Sequence, residues 1–239
     1  MTDEVPEPAG GTAALADARR QAAIALARLA ELAVGYADDR TAADRQDADP
    51  GPRRPGRAKP GEVVADELSL VLREQPYAVR CLLARSRRLA GQLPTVWEAF
   101  RRGDLDADQV RVVDRAARRV TQVTTLAAID DAVVDAAQTR CPKQLASWLL
   151  RLIVRHEPAA FAQRHRRALA ERRVRIVQGA DGMGYVTGEV SATDAAAIDA
   201  VLAGAARSLG KDDPRSWEQR RSDLFADLLL GRLRLDDPD

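Results

Sequence analysis

The stretch VQGADGMGYVTGEV, residues 177–190, decides the fold, because it breaks a chain whose other periodic segments have helical spacing. From residue 173 the apolar period falls to two. Val174 and Ile176 share one face, and beyond the glycines Val186 and Val190 alternate with Thr187 and Glu189. Two such runs around Asp181-Gly182 predict a β-hairpin over about residues 173–190, with Gly182 supplying the positive φ of its turn. Gly179, Gly182, Gly184 and Gly188 also raise the question of a phosphate loop. A dinucleotide fingerprint would need its third glycine where Thr187 stands, and a P-loop would need a Gly-Lys-Ser/Thr ending that is absent. The glycines lie between two strands rather than at a helix N-terminus, so no helix dipole faces them.

Outward from the hairpin the pattern is helical. Residues 12–37 carry Ile24, Leu29 and Leu32 at near-helical spacing, with alanines between them. In the body, Pro94 opens a short helix that stops at Gly103. Asp106 with Gln109 fits a capping box, and residues 142–156 present Leu145, Trp148, Leu149, Leu152 and Ile153 as one apolar face. Ser191 and Pro214 mark the openings of two further helices. The expected fold is mainly α, a bundle-like domain of about nine helices with one inserted hairpin. Its expected organisation is an N-terminal helical arm at 1–37, detached or docked back, and a flexible Pro- and charge-rich linker at 38–60. A helical domain at 61–233 and a frayed tail at 234–239 complete it. The linker holds Pro50, Pro52, Pro55 and Pro60 and no large apolar residue, so it cannot offset its own ordering entropy.

Aromatic residues make up 4% of the 239 residues against 46% hydrophobic, so the core must come from Leu, Val, Ile and Ala. Lysine occurs at only Lys59, Lys143 and Lys211, and the arginine excess reads first as the codon bias of a GC-rich bacterial genome. Cys81 and Cys141 form no CxxC pair, which excludes a zinc knuckle and suggests a reducing compartment. The acidic, proline-containing N-terminus is unlike a signal peptide, and no apolar run has membrane-spanning length. A cytoplasmic protein without membrane contact is expected. Cys141, His156 and His165 fit no metal-ligand spacing. His156 reads as a helix C-terminal residue and His165 as half buried beside Phe161 and Leu169. No catalytic residue, metal or cofactor is expected in this chain.

The net charge of +1 hides a block: residues 140–175 hold ten basic residues against two acidic, a net of +8, and residues 176–239 carry a net of −5. Arg140, Lys143, Arg151, Arg155, Arg164, Arg167, Arg172, Arg173 and Arg175 are the candidates for contact with DNA phosphates. Two blander readings stand beside this one. The arginines can be simply solvated, or they can pair with the acidic C-terminal region at Asp212, Asp213, Asp223 or Asp227. No aromatic interleaving suggests base stacking. In the last helix, Arg220, Asp223 and Asp227 read as an intrahelical charge ladder rather than a metal site.

Three segments carry a family resemblance: LPTVWEAFRRGDLDADQVRVV at 93–113, ADGMGYVTGEVSATDAAAIDAVL at 180–202, and DPRSWEQRRSDLFADLL at 213–229. Together they resemble the bacterial domain-of-unknown-function family 222 (DUF222), with Gly103, Arg111, Asp181, Gly182, Gly188, Asp213, Arg215, Gln219, Arg220 and Asp223 at its motif positions. Ser222 replaces the usual alanine. The resemblance covers about residues 61–233. Members of that family usually carry a C-terminal HNH endonuclease module. It therefore implies a non-catalytic helical partner of a DNA-cutting domain, with DNA, the nuclease module or a second copy as partner. The HNH histidines and CxxC pairs are absent from these 239 residues. A longer parent chain and a member without the module both remain open, and a scaffold role without nucleic-acid contact is the alternative.

Overall fold

The structure, a computed structural model, describes residues 11–46 and 62–233. Ten helices and one hairpin are present among them: α1 (Thr12–Gln46), α2 (Glu62–Leu72), α3 (Pro76–Gln92), α4 (Pro94–Arg102), α5 (Ala107–Ala117), α6 (Val123–Gln138), α7 (Pro142–His156), α8 (Pro158–Ala170), β1 (Val174–Gln178), β2 (Gly184–Gly188), α9 (Ala192–Ser208) and α10 (Trp217–Leu229). The chain divides into two compact units, the first ending at Phe161 and the second beginning at Ala162, so the boundary falls within α8. The expected domain at 61–233 therefore spans parts of two units, and the N-terminal helix belongs to the first.

Helix α1 runs nine residues past the expected arm, so residues 38–46 are helix rather than linker. The physical reason is tertiary. Arg87 reaches Asp38 at 2.6 Å, and Arg40 pairs with Asp44 and with Glu67 of α2. These contacts hold the polar end of the helix against the body. The remainder of the expected linker, and the tail at 234–239, lie outside the described residues.

The buried face of α1 is its alanine stripe. Ala23, Ala27, Ala30, Ala33 and Ala37 face inward, whereas Leu29 and Leu32 are exposed. Small side chains let α1 lie close to its neighbours. One close approach is at Gly103, which ends α4 with φ 78°. A Cβ there would stand 2.5 Å from Arg20 Cγ and 2.7 Å from the Arg20 carbonyl oxygen. Arg20 Nε in turn donates to the Arg102 carbonyl at 3.0 Å. Glycine is thus required twice, for a left-handed C-cap and for room. Arg19 adds a link to Asp106 at 2.6 Å.

Helices α4 and α6 of the first unit start without a side-chain cap of their own. The N-cap of α4 is Leu93 and that of α6 is Gln122, neither with a side-chain cap hydrogen bond. Buried carboxylates from elsewhere in the chain take their place. Thr95 N–H and Val96 N–H donate to Asp130 on α6 at 3.0 and 2.9 Å. Glu157, 1% exposed in the turn between α7 and α8, accepts from Gln122 N–H at 2.9 Å, Thr121 N–H at 3.1 Å and the Thr121 hydroxyl at 2.7 Å. Each carboxylate occupies the positive end of a helix dipole and satisfies orphan backbone donors. Burial alone would raise the Glu157 carboxyl pKa. The Thr121 hydroxyl and the Gln122 and Thr121 amides outweigh that and hold it below the usual range. Helix α5 is capped locally, with Gln109 N–H donating to Asp106 at 2.7 Å and Asp106 N–H to Gln109 Oε1 at 3.0 Å. Gln109 also donates from Nε2 to the Ala137 carbonyl, joining α5 to the C-terminus of α6.

The second unit is thinly packed. Leu202 and Ala206 of α9 meet Leu224 of α10, with Phe225 and Leu228 alongside. The hairpin forms as expected, antiparallel, with Ile176 opposite Val186 and Val177 opposite Tyr185. Met183 N–H donates to the Ala180 carbonyl across Asp181 (φ 57°) and Gly182 (φ 72°), the paired positive φ of a two-residue hairpin turn. Both strands are exposed along their whole length. Helix α10 begins at Trp217 behind a Ser216–Gln219 capping box rather than at Pro214.

Two predictions follow from this packing. Gly103→Ala should destabilise the protein by about 2 kcal/mol in chemical denaturation, since both φ and space oppose a side chain. Gly91→Ala, where a Cβ meets nothing within 4 Å, should not. For Glu157, the depressed folded pKa means that its stabilisation is fully present above the unfolded value of 4.5 and is lost as pH falls through the folded value. Glu157→Gln should cost about 2 kcal/mol at pH 7. The gap between the two melting curves should close as pH is lowered from 5 towards 3, and a pH-independent gap would contradict the capping role.

Candidate nucleic-acid interface

Helix α7 carries a cationic face. Pro142 sits at its first turn, and Cys141 N–H donates to Gln144 Oε1 at 3.0 Å. Leu145, Leu149 and Ile153 are buried, which turns Lys143, Ser147, Arg151 and Arg155 to solvent. The buried stripe packs against α5, whose Val110, Val113 and Ala117 face the same core. Between the two helices lies a shallow groove of about 300 Å³, lined by Val112, Arg115, Ala116, Arg119, Ala146, Ser147, Leu150 and Ile153. Arg115 and Arg119 thus join the cationic side of α7. Sequence reasoning missed both, because residues 61–139 are near neutral in total and only packing against α7 selects these two. Their four-residue spacing next to an apolar stripe was the available signal.

The expected block divides at the unit boundary. Arg140, Lys143, Arg151 and Arg155 lie in the first unit, and Arg164, Arg167, Arg172, Arg173 and Arg175 in the second. Two of the nine have defined structural work. Arg140 donates to the Ala136 carbonyl at 2.8 Å and lies 5.9 Å over the Trp148 ring. Arg173 pairs with Glu189 across the base of the hairpin at 3.2 Å. Lys143, Arg151, Arg155, Arg167, Arg172 and Arg175 make no ion pair among the described residues, and all six are exposed. His165 is exposed rather than half buried, because α8 buries none of its residues.

Four carboxylates of the acidic C-terminal region, those of Asp199, Asp213, Asp223 and Asp227, pair with arginines of that same region. Asp213, whose side chain is 10% exposed, and Asp223 both accept from Arg215, each at 2.7 Å. Hydrogen bonds from the Arg215 side chain and its backbone N–H hold the Asp213 carboxyl at about 2, against the opposing effect of burial. Asp199 pairs with Arg221 at 2.6 Å and Asp227 with Arg232 at 3.7 Å. The expected ladder of Arg220 with Asp223 and Asp227 does not form. Arg220 turns back to donate to the Gly210 and Arg215 carbonyls at 2.7 and 2.9 Å, closing the loop before α10. Loop carbonyls without a helical partner are the better acceptors for a half-buried guanidinium.

The motif residues of the family resemblance therefore serve architecture. Gly103 admits α1, Asp181 and Gly182 turn the hairpin, and Gln219 completes a capping box. Asp213, Arg215, Arg220 and Asp223 lock the α9–α10 connection. Arg111 pairs with Asp108 on the surface of α5. Nothing in the structure requires glycine at 188, where a Cβ would meet no atom within 4 Å. No group of three His, Cys, Asp or Glu side chains placed to hold a metal occurs among the described residues. None of their helices is long and apolar enough to cross a membrane.

The profile of the family described as "Domain of unknown function (DUF222)" matches residues 12–239. Two similar proteins come from Mycobacterium tuberculosis. An "Uncharacterized protein in est 3'region" is 32% identical over 154 residues, covering 60% of this chain and 42% of that protein. "Uncharacterized protein Rv3776", from strain ATCC 25618 / H37Rv, is 32% identical over 154 residues, covering 60% of this chain and 28% of its own length. The chain thus spans less than half the length of these relatives. No solved structure matches it.

Proposed function

The chain belongs to the DUF222 family, and from that premise we propose that it is a non-catalytic helical module of an HNH-endonuclease-type protein, working in the cytoplasm and contacting the DNA backbone through its exposed arginines. One observation carries this reading. Asp199, Asp213, Asp223 and Asp227 of the acidic region pair with arginines of that region, and Lys143, Arg151, Arg155, Arg167, Arg172 and Arg175 make no ion pair among the described residues, which leaves their charge for an outside partner. Exposed cations on a helix face suit phosphates, which position a protein on a duplex without reading its sequence.

A second reading has its own support. The hairpin exposes Ile176, Val177, Tyr185 and Val186, and α9 exposes Ile198 and Val201. Apolar surface of this kind on a thinly packed unit favours a protein partner, the nuclease module or a second copy.

Fluorescence anisotropy with a labelled duplex at low salt separates the two. The DNA-binding reading expects saturable binding that weakens steeply with added salt. Arg151→Glu with Arg155→Glu should lower affinity at least tenfold, equally for unrelated sequences, and should shift stability by no more than about 0.5 kcal/mol. Absence of binding at low salt would remove the DNA role, and a concentration-dependent dimer under the same conditions would favour the second reading.

A further inference from the structure

The first unit contains two hydrophobic clusters that do not close on one another. One gathers Leu89, Phe100, Val110 and Leu149, and the other Val64, Val79 and Leu83. At their seam lies a cavity of about 420 Å³, with Trp97, Phe100 and Val110 on one side and Val79, Leu72 and Leu82 on the other. Helix α1 covers it with Leu26, Leu29 and Ala30. The cause is the alanine stripe of α1. It binds both clusters, yet alanines bring too little volume to fill the space between them. A partly apolar cavity of this size falls within the range of small-molecule sites.

One cation enters that space without a partner. Arg85 of α3 is half-buried and lines the cavity, and it makes no hydrogen bond or ion pair among the described residues. The carboxylate near it, Asp114, is 1% exposed and accepts from Arg88 at 3.1 Å and from Arg118. Arg111, also on the lining, pairs with Asp108. Glu74 is exposed at the rim and forms no bond to Arg85. Burial, and then the charge of Arg111, lower the pKa of Arg85. A guanidinium stays charged regardless, so the shift reflects desolvation that the attraction of nearby Asp114 does not offset. A desolvated cation beside an apolar cavity favours an anion attached to an apolar body.

We propose that this cavity is a binding site for an amphipathic carboxylate, its apolar chain lying between the two clusters and its carboxylate on Arg85. The site is separate from the DNA-facing arginines, and its occupancy would join two clusters that α1 bridges only with alanine.

Dodecanoate below its micellar concentration is the probe, with dodecanol as the uncharged control, both added to the full chain. Calorimetry should show saturable binding of one dodecanoate per chain and a raised melting temperature. Arg85→Gln should weaken that binding at least tenfold, while Arg80→Gln, exposed on the same helix, should not. Cys81 lines the cavity and Cys141 is exposed, so in a Cys141→Ser protein dodecanoate should slow alkylation of Cys81. That measurement decides the matter if Arg85→Gln fails to fold. No saturable binding, equal affinity for dodecanol, or unprotected Cys81 would each overturn the proposal.

Discussion

Two buried carboxylates set the frame of the first unit. Asp130 and Glu157 hold the N-termini of helices to which they do not belong, 34 to 36 residues away in sequence. Each helix start leaves backbone donors without intrahelical partners, and burial makes those donors costly unless something accepts from them. Leu93 and Gln122 have no side chain that does so here. The helices α4 and α6 can therefore form in place only when α6 and the α7–α8 turn are already positioned, which makes their geometry mutually dependent. Asp114 is a third such anchor, shared between Arg88 and Arg118.

The second unit is held differently. Its apolar core is small, and the connection between α9 and α10 is closed by charge. Arg215 bridges Asp213 and Asp223, while Arg220 gathers loop carbonyls. The carboxylates used there are thereby withdrawn from the basic segment. Among the described residues, Arg151 and Arg155 of α7 and Arg172 and Arg175 after α8 make no ion pair, whereas Arg173 pairs with Glu189.

Helix α1 shows how a close fit and an open space arise from one choice of residues. Alanine lets the helix approach α4 until the Arg20 backbone fills the room a side chain at Gly103 would need. The same alanines cannot fill the seam between the two clusters, and the cavity beside Arg85 remains. Replacing a stripe of large residues with small ones improves one contact and opens another.

By itself the sequence determined the elements whose signals are local. The period-2 runs around Asp181-Gly182, the Asp106–Gln109 capping box and the C-terminal glycine at 103 each act within a few residues, so spacing and residue type suffice to place them. Tertiary structure decided the rest, because those features join residues far apart in the chain. Spacing alone marked the first helix without showing which of its faces is buried, and suggested that Arg220 would pair along its own helix and that the chain would loosen after residue 37. Packing against α4 selected alanine, loop carbonyls drew Arg220 away, and Arg87 and Arg40 extended α1. The basic block was legible as charge, but whether that charge is free depends on where the acidic residues find partners, and no one-dimensional pattern contains that information.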